Sequence, residues 1–495
     1  MNLSVVNPAV GVACSMAAGL AIGAAVFCTV EGYLGVSFLI SMIAVLCVVA
    51  IVVEIRTSGD FLTATGMFSI GLVGFFVLRP IGILVQRTTT AGAEIDSRVL
   101  SEALESALAT SLVQVLILST CAFGVYWILL CLRRDGGRGR DRIAFISRTR
   151  SVANDRTSAV LVWLASALAI FSAAILVARS GGFIDHFDSV ANRSASLRGV
   201  NFLVYSYLPL LAALVVHLVN RRVIGRKLDA PSCCGLVVLI AVTALSGGRG
   251  PLIFGAVLPL LILLQTGSRR LSQGILTLIL GFGGVVALGY AVLVRDRAFR
   301  PAEMGVDAEE GLIATIWDRA LSGSEFRPLD SLIRLNEAAS VGDLALQNGN
   351  TYLASFAWFV PRGLWPGKPG GGANTWFTQT LLPRFYGPER VETSVSVVGE
   401  AYLNFSWFGL VLVGTLIGCL LFALSRSRIY EGGILRVALV VVTSPVLVSF
   451  LRGDAYQNVG VFLALVLLVI GAYGLSARRV SDGVAFASYR ERVLS

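Results

Sequence analysis

Residues 397–424 read VVGEAYLNFSWFGLVLVGTLIGCLLFAL. Beyond Glu400 the stretch contains no Asp, Glu, Lys or Arg. As a helix rising 1.5 Å per residue it is long enough to cross a hydrocarbon core of about 30 Å. A helix also satisfies its own backbone polar groups, which lipid cannot do. The polar side chains Glu400, Tyr402 and Asn404 all lie at one end, and Glu400 and Asn404, one helical turn apart, share a face. The stretch therefore reads as a spanning helix with a polar mouth.

The same pattern recurs along the chain. Apolar runs of spanning character cover 8–30, 33–53, 61–85, 107–132, 159–178, 201–220, 232–246, 250–266, 272–294, 397–424, 434–451 and 457–475. The fold class is an all-α polytopic membrane protein of about twelve transmembrane helices. The runs at 232–246 and 250–266 are short, so tilted or broken helices are expected there. Ala9–Val30 lacks a basic leader and reads as a retained helix rather than a cleaved signal. With 495 residues, 56% hydrophobic and 14% charged, and a mean hydropathy of +0.79, the chain is excluded from the soluble classes. The eight cysteines sit in or beside apolar runs, as small hydrophobes rather than a disulfide framework.

The net charge of +10 is what basic cytoplasmic loops give a multi-spanning protein, so no nucleic-acid partner is expected. With the N-terminus inside, the cytoplasmic segments carry about 22 of the 40 Lys and Arg and the short outer loops about seven. The expected organisation is spans one to nine in 1–294, with a basic cytoplasmic loop at 133–158. A large extracytoplasmic loop at 295–396, spans ten to twelve in 397–475 and a cytoplasmic tail at 476–495 follow, so both termini are cytoplasmic.

A connection of about a hundred residues between Arg295 and Ser396 is long enough to be functional. Within it, 307–321 and 328–340 space their apolar residues as short amphipathic helices. TYLASFAWFVPRGLWP (351–366) is apolar but too short and proline-broken to span, and is expected to lie in the interface or cap a cavity.

No Walker A loop or HExxH occurs, and the two histidines are His186, expected in an outer loop, and His217, expected as a structural residue near an inner helix end. No metal or other cofactor is expected. The candidate chemistry is cationic. Arg79, Arg179, Arg193, Arg198, Arg249, Arg362, Lys368 and Arg452 are expected on the outer side or at its boundary. There an arginine must pair or face water, and its planar fork suits phosphate. The bland reading of each is a snorkelling or salt-bridged side chain. Arg249 stands out because LSGGRGP places it between two short apolar halves.

The ordered pieces SGGF…NRS…G, SGGRG, VPRGLWPGKP, GEAYLNFSWFG and LRGD, over roughly residues 160–475, resemble the O-antigen polymerase, or oligosaccharide repeat-unit polymerase, family of bacterial envelopes. The proline-arginine-tryptophan-proline-lysine-proline string is its most specific element, and the amino-terminal third matches only in being hydrophobic. The resemblance implies a GT-C-like, metal-independent glycosyltransferase in the bacterial cytoplasmic membrane. It would transfer a growing glycan from undecaprenyl pyrophosphate to an incoming lipid-linked oligosaccharide. A chain-length regulator and a flippase of the same pathway would be its partners.

Cleaving an anomeric carbon from pyrophosphate builds negative charge on the leaving group, which fixed arginines stabilise most in the transition state. The expected catalytic residues are then Arg249 and Arg362 with Glu400 or Asp330 as base, His186 standing behind them. Arg79, Arg193, Lys368, Arg452, Tyr402, Asn404 and Trp365 would bind pyrophosphate or sugar. The alternatives are a ligase-like glycan transferase and a lipid-linked oligosaccharide transporter. The latter fits the span count but not charges gathered at the outer rim.

Overall fold

The computed structural model describes residues 34–58, 63–83, 103–134, 151–182, 186, 201–223, 226, 228–246, 249–265, 328–360, 364–367, 371–382, 394–425 and 433–479. The long helices are α1 (Leu34–Ser58), α2 (Ala64–Ile83), α3 (Ala103–Arg134), α4 (Asp155–Arg179), α5 (Tyr207–Val223), α6 (Ala230–Leu245) and α7 (249–265). The long connection contributes α8 (Pro328–Ser340), α9 (Asn350–Phe356, extended by a 3-10 turn to Phe359) and α10 (Ala373–Leu381). Helices α11 (Val397–Ser425), α12 (Ile434–Arg452) and α13 (Ala455–Ser476) follow. The remaining regular structure among the described residues is a 3-10 helix at Asn201–Ser206, leading into α5, and one short antiparallel pair, β1 (Ser151–Ala153) with β2 (Ala477–Arg479), in which Ser151 faces Arg479.

Among the described residues, eight helices are long and apolar enough to cross a membrane. Ten of the twelve expected runs coincide with observed helices, while 8–30, 272–294 and the amphipathic segment at 307–321 lie outside the described residues. Helix α6, with 16 residues, reaches only about 24 Å. In α2 and α7 the ladder loosens into a π turn, at Gly74–Leu78 and Ile253–Val257. In α7 this places Gly255 against the ring of Tyr207, where a Cβ would come within 2.4 Å of the ring.

Helix starts follow side-chain capping. Thr63, Asn154 and Asp229 each accept a backbone N–H from the first turn of α2, α4 and α6. Inside the helices, hydroxyls of Ser41, Ser69, Ser111, Ser119, Thr243 and Thr443 donate to the carbonyl four residues back, so they need no outside partner in an apolar setting.

Between helices in lipid there is little hydrophobic drive, so close packing must hold them. The α3–α11 pair illustrates this. The sequence GTLIG sets Gly414 and Gly418 against the backbone of α3, where an added Cβ would lie 2.6 Å from the Leu118 carbonyl oxygen and 2.5 Å from that of Ala122. One apolar cluster joins α1, α2, α3, α8 and α11, and a second joins α4, α5, α6, α7, α12 and α13. Helices α2, α5 and α12 are the most enclosed. The outward side of α4 exposes Val160, Trp163, Leu164, Leu168 and Phe171, a face fit for lipid.

The contacts define two ends of the bundle. At one end α8, α9 and α10 sit over the start of α11, the end of α12 and the start of α13. At the other, β2 after α13 pairs with β1 before α4, and Asn154 donates its N–H to the Ser476 carbonyl. A polar clamp closes that second end. His217 is fully buried between the Ser158 hydroxyl at Nδ1 (2.8 Å) and Asp229 at Nε2 (3.2 Å). Arg221 donates to both Asp155 (3.1 Å) and Asp229 (2.7 Å), and Arg226 to Asp155 (2.6 Å). Burial raises the Asp229 carboxyl, but hydrogen bonds from Ser232 and His217 outweigh it and hold the group below its usual 3.8.

Candidate functional site

The polar mouth of residues 397–424 is not part of a straight helix. Phe405 (φ −136°, ψ 18°) and Ser406 (φ 55°, ψ −144°) break α11 one third of the way along, with no proline or glycine at either position. The break frees the carbonyls of Leu403 and Asn404 from the helical ladder. The loop takes them up: Gln347 N–H donates to Leu403 (3.0 Å) and Asn348 N–H to Asn404 (3.1 Å). Asn348 and Gly349 reach these positions with φ of 47° and 88°. Such strain at a non-glycine residue persists only where the surroundings fix it.

Inside this corner Glu400 has no exposed surface, and both its oxygens are engaged. Thr351 Oγ1 donates to Oε1 at 2.6 Å, and the N–H of Ala455 donates to Oε2 at 2.5 Å. Ala455 is the first residue of α13, so the Glu400 carboxyl group takes up one of the free N–H groups at a helix N-terminus. Asn404 completes the group. Its Nδ2 donates to Thr351 Oγ1 (2.7 Å) and to the Glu400 carbonyl (2.9 Å), while its Oδ1 accepts from Gly349 N–H (3.0 Å). Glu400 and Asn404 thus converge on one threonine of the long loop.

The LRGD turn supplies the second carboxylate. Helix α12 ends at Arg452, Gly453 donates its N–H back to Ser449, and Asp454 is the residue just before α13. Asp454 is buried and accepts from Asn374 N–H at 3.0 Å. Gly372 lies so close that a Cβ there would stand 2.3 Å from Asp454 Oδ2. Asn374 in turn accepts from Val395 N–H at 2.6 Å, tying α10 to the strand of chain entering α11. Asp454 is an electrostatic neighbour of Glu400, and Arg452 is partly exposed at the same turn.

Tyr352 closes the site from the loop side. Its ring stacks on Phe405 (6.2 Å between centroids), and its hydroxyl is shielded without a hydrogen-bond partner among the described residues. Burial, then the Glu400 charge, push it well above its usual 10.0, so it remains protonated. Tyr402 is half-buried, edge-on to Trp407 at 5.8 Å.

Two of the expected site residues meet one another. Arg79 lies just past the π turn of α2 and donates from Nε (3.0 Å) and Nη2 (2.8 Å) to the two oxygens of Asp330 on α8. This fork-to-fork pair is the salt-bridged reading of Arg79, and it engages both oxygens of Asp330. Below it, Asn336 of α8 exchanges hydrogen bonds with Gln114 of α3 (2.8 and 3.0 Å) and donates to Ser111 (2.9 Å). Glu400, with both oxygens engaged and no exposed surface, joins three elements, α9, α11 and α13.

His186 is buried rather than solvated, held by the Ser180 hydroxyl (2.9 Å) and the Leu245 carbonyl (2.8 Å). Trp365 is exposed. Arg249 opens α7, its side chain lying outside the described residues, as do Arg193, Arg362 and Lys368 altogether. No three His, Cys, Asp or Glu residues among the described ones gather as metal ligands. Sequence reasoning passed over Thr351, Tyr352, Asn374 and Asp454. Of these, Asp454 had a signal, as the carboxylate directly after Leu451-Arg452-Gly453.

No family model, curated protein or solved structure matches the chain.

Proposed function

We propose that the protein is a polymerase of a bacterial surface polysaccharide. In this reading it moves a growing glycan from undecaprenyl pyrophosphate to a lipid-linked repeat unit on the outer face of the cytoplasmic membrane. The reading includes twelve spans in a GT-C-like arrangement with both termini cytoplasmic. A chain-length regulator and a flippase act beside it.

The observation that carries the reading is convergence. The motif GEAYLNF, the LRGD turn and the long loop are separated by tens of residues, yet they close on one corner through Glu400, Thr351, Ala455, Asp454 and Asn374. That corner belongs to the end of the bundle that carries Arg452 and the long loop. A pyrophosphate leaving group needs cations there, and Arg452, Arg249, Arg193, Arg362 and Lys368 are the residues assigned to it. Glu400 acts as a positioning residue that fixes α9 and α13 around the reacting lipid, and Arg79 with Asp330 anchors α8.

The test is gene deletion with complementation, reading surface glycan on a gel. Deletion is expected to leave single repeat units and the intact gene to restore a ladder. Arg452→Ala should lose long chains at unchanged protein level. An unchanged ladder in the deletion strain refutes the reading, and repeat units stranded on the cytoplasmic face assign a flippase instead.

A further inference from the structure

The three helices of the long connection do not face the same solvent. On α8 the apolar residues Leu329, Leu332, Ile333 and Leu335 are buried, and the outward side carries the Arg334–Glu337 ion pair. On α10, Ala373 and Phe377 are buried while Gln379 and Thr380 are exposed. Both are ordinary amphipathic helices with water outside. Helix α9 is inverted. Its Thr351 and Ser355 point inward and are buried, whereas Leu353 and Phe356, three residues apart on the outward side, are 65% and 67% exposed. Farther along the same segment Leu364 and Trp365 are also exposed, at 80% and 46%.

The depth of the segment agrees with this. Trp358, directly after α9, packs on Gly460, where an added Cβ would come within 2.5 Å of the indole, and meets Tyr205 edge-on at 5.3 Å between centroids. Gly460 is five residues into α13, about 8 Å along its axis at 1.5 Å per residue. The end of α9 therefore lies beside the first turns of a spanning helix rather than above its end. Leucine and phenylalanine turned outward at that level, with hydroxyls turned inward, is the arrangement of a surface in contact with lipid.

We infer that the outward side of α9, with Leu353 and Phe356, is a membrane-contact surface covered by the acyl chains of bilayer phospholipid. The long loop is thereby hinged between water at α8 and α10 and lipid at α9. The inference is independent of the glycan reading.

The test uses the full chain reconstituted in nanodiscs of phosphatidylcholine and phosphatidylglycerol, which contain no polyprenyl lipid. The photoreactive p-benzoylphenylalanine is placed singly at Phe356 or Leu353, at Leu168 on the lipid-facing side of α4 as positive control, and at Arg334 or Gln379 as water-facing controls. After irradiation, phospholipid adducts are counted by mass spectrometry on protein that retains its gel-filtration volume. Adducts at Phe356 and Leu353 should match those at Leu168 and exceed those at Arg334 and Gln379 several-fold. Yields no higher than the water-facing controls overturn the inference, as does a crosslink to a second copy of this chain in place of lipid.

Discussion

Removing the Arg79–Asp330 pair should release α8 from the bundle while the spans stay folded. The two side chains are 9% and 20% exposed, and two charge-assisted hydrogen bonds of 2.8 and 3.0 Å join them. Bonds to charged groups contribute about 1.5–3 kcal/mol each, and stripping one partner from a buried pair costs about 3–5 kcal/mol. With Asp330 partly wetted, we expect about 2–3 kcal/mol for Arg79→Met alone, roughly 30- to 150-fold in a local opening equilibrium. Hydrogen–deuterium exchange of a peptide covering 328–340 reads that equilibrium directly, against a peptide from α5 as the internal reference. Asp330→Leu should behave likewise, since it removes the carboxylate that accepts both of these guanidinium bonds. The double variant Arg79→Met/Asp330→Leu should recover most of the protection, because neither charge of the pair then remains to be desolvated. Simple addition of the two single effects would refute the pairing argument, as would single variants that leave α8 exchange unchanged. Full recovery of α8 protection without recovery of glycan chains would favour Arg79 as a ligand-binding cation.

Three further outcomes are expected. Gly414→Val or Gly418→Val forces a side chain into the Leu118 or Ala122 carbonyl of α3, and should cost about 1–3 kcal/mol as a lowered melting temperature in detergent. Gly471→Ala, with nothing within 4 Å, serves as the neutral control. Thr351→Val strips Glu400 of one donor, and should destabilise the corner by about 1–3 kcal/mol, visible as faster exchange in α9. Thr351→Ser should keep the bond, and equal exchange in both variants would contradict the assigned hydrogen bond. Asp229 is held below its usual 3.8, so its stabilisation is fully present above that value and lost as pH falls through the lowered native value. The melting-temperature gap between the parent protein and Asp229→Asn should therefore be constant above about pH 5 and shrink below about pH 4. A gap that widens on acidification would reverse the sign of the argument.

The candidate site was legible only in parts. Glu400 and Asn404 stood out because polar residues at the mouth of an apolar run are conspicuous, and their spacing put them on one face. What they meet was not legible. Thr351 lies 49 residues from Glu400, and Ala455, whose contribution is a backbone N–H that no side-chain pattern reveals, lies 55 residues away. Arg79 and Asp330, 251 residues apart, are each plausible alone as a ligand-binding cation and a base, and their pairing follows only from α8 lying against the bundle. His186 reads as a loop residue between two aspartates, yet it is buried against the end of α6.

By itself the sequence determined that the chain is a series of apolar helices in a given order, because spanning length and hydropathy are local properties measured against bilayer thickness. The helix starts after Thr63, Asn154 and Asp229 are local in the same sense, since each capping side chain lies within three residues of the N–H it accepts from. Tertiary structure alone decided where helices break and which charges pair. Pro445 lies inside an unbroken α12, while α11 breaks at Phe405 and Ser406, which carry no helix-breaking signal. The break persists because loop N–H groups take up the freed carbonyls, and those donors arrive only when α9 packs against α11 and α13. The inverted faces of α9 have the same origin, since its hydroxyls find buried partners across the chain and its apolar side chains are left facing outward.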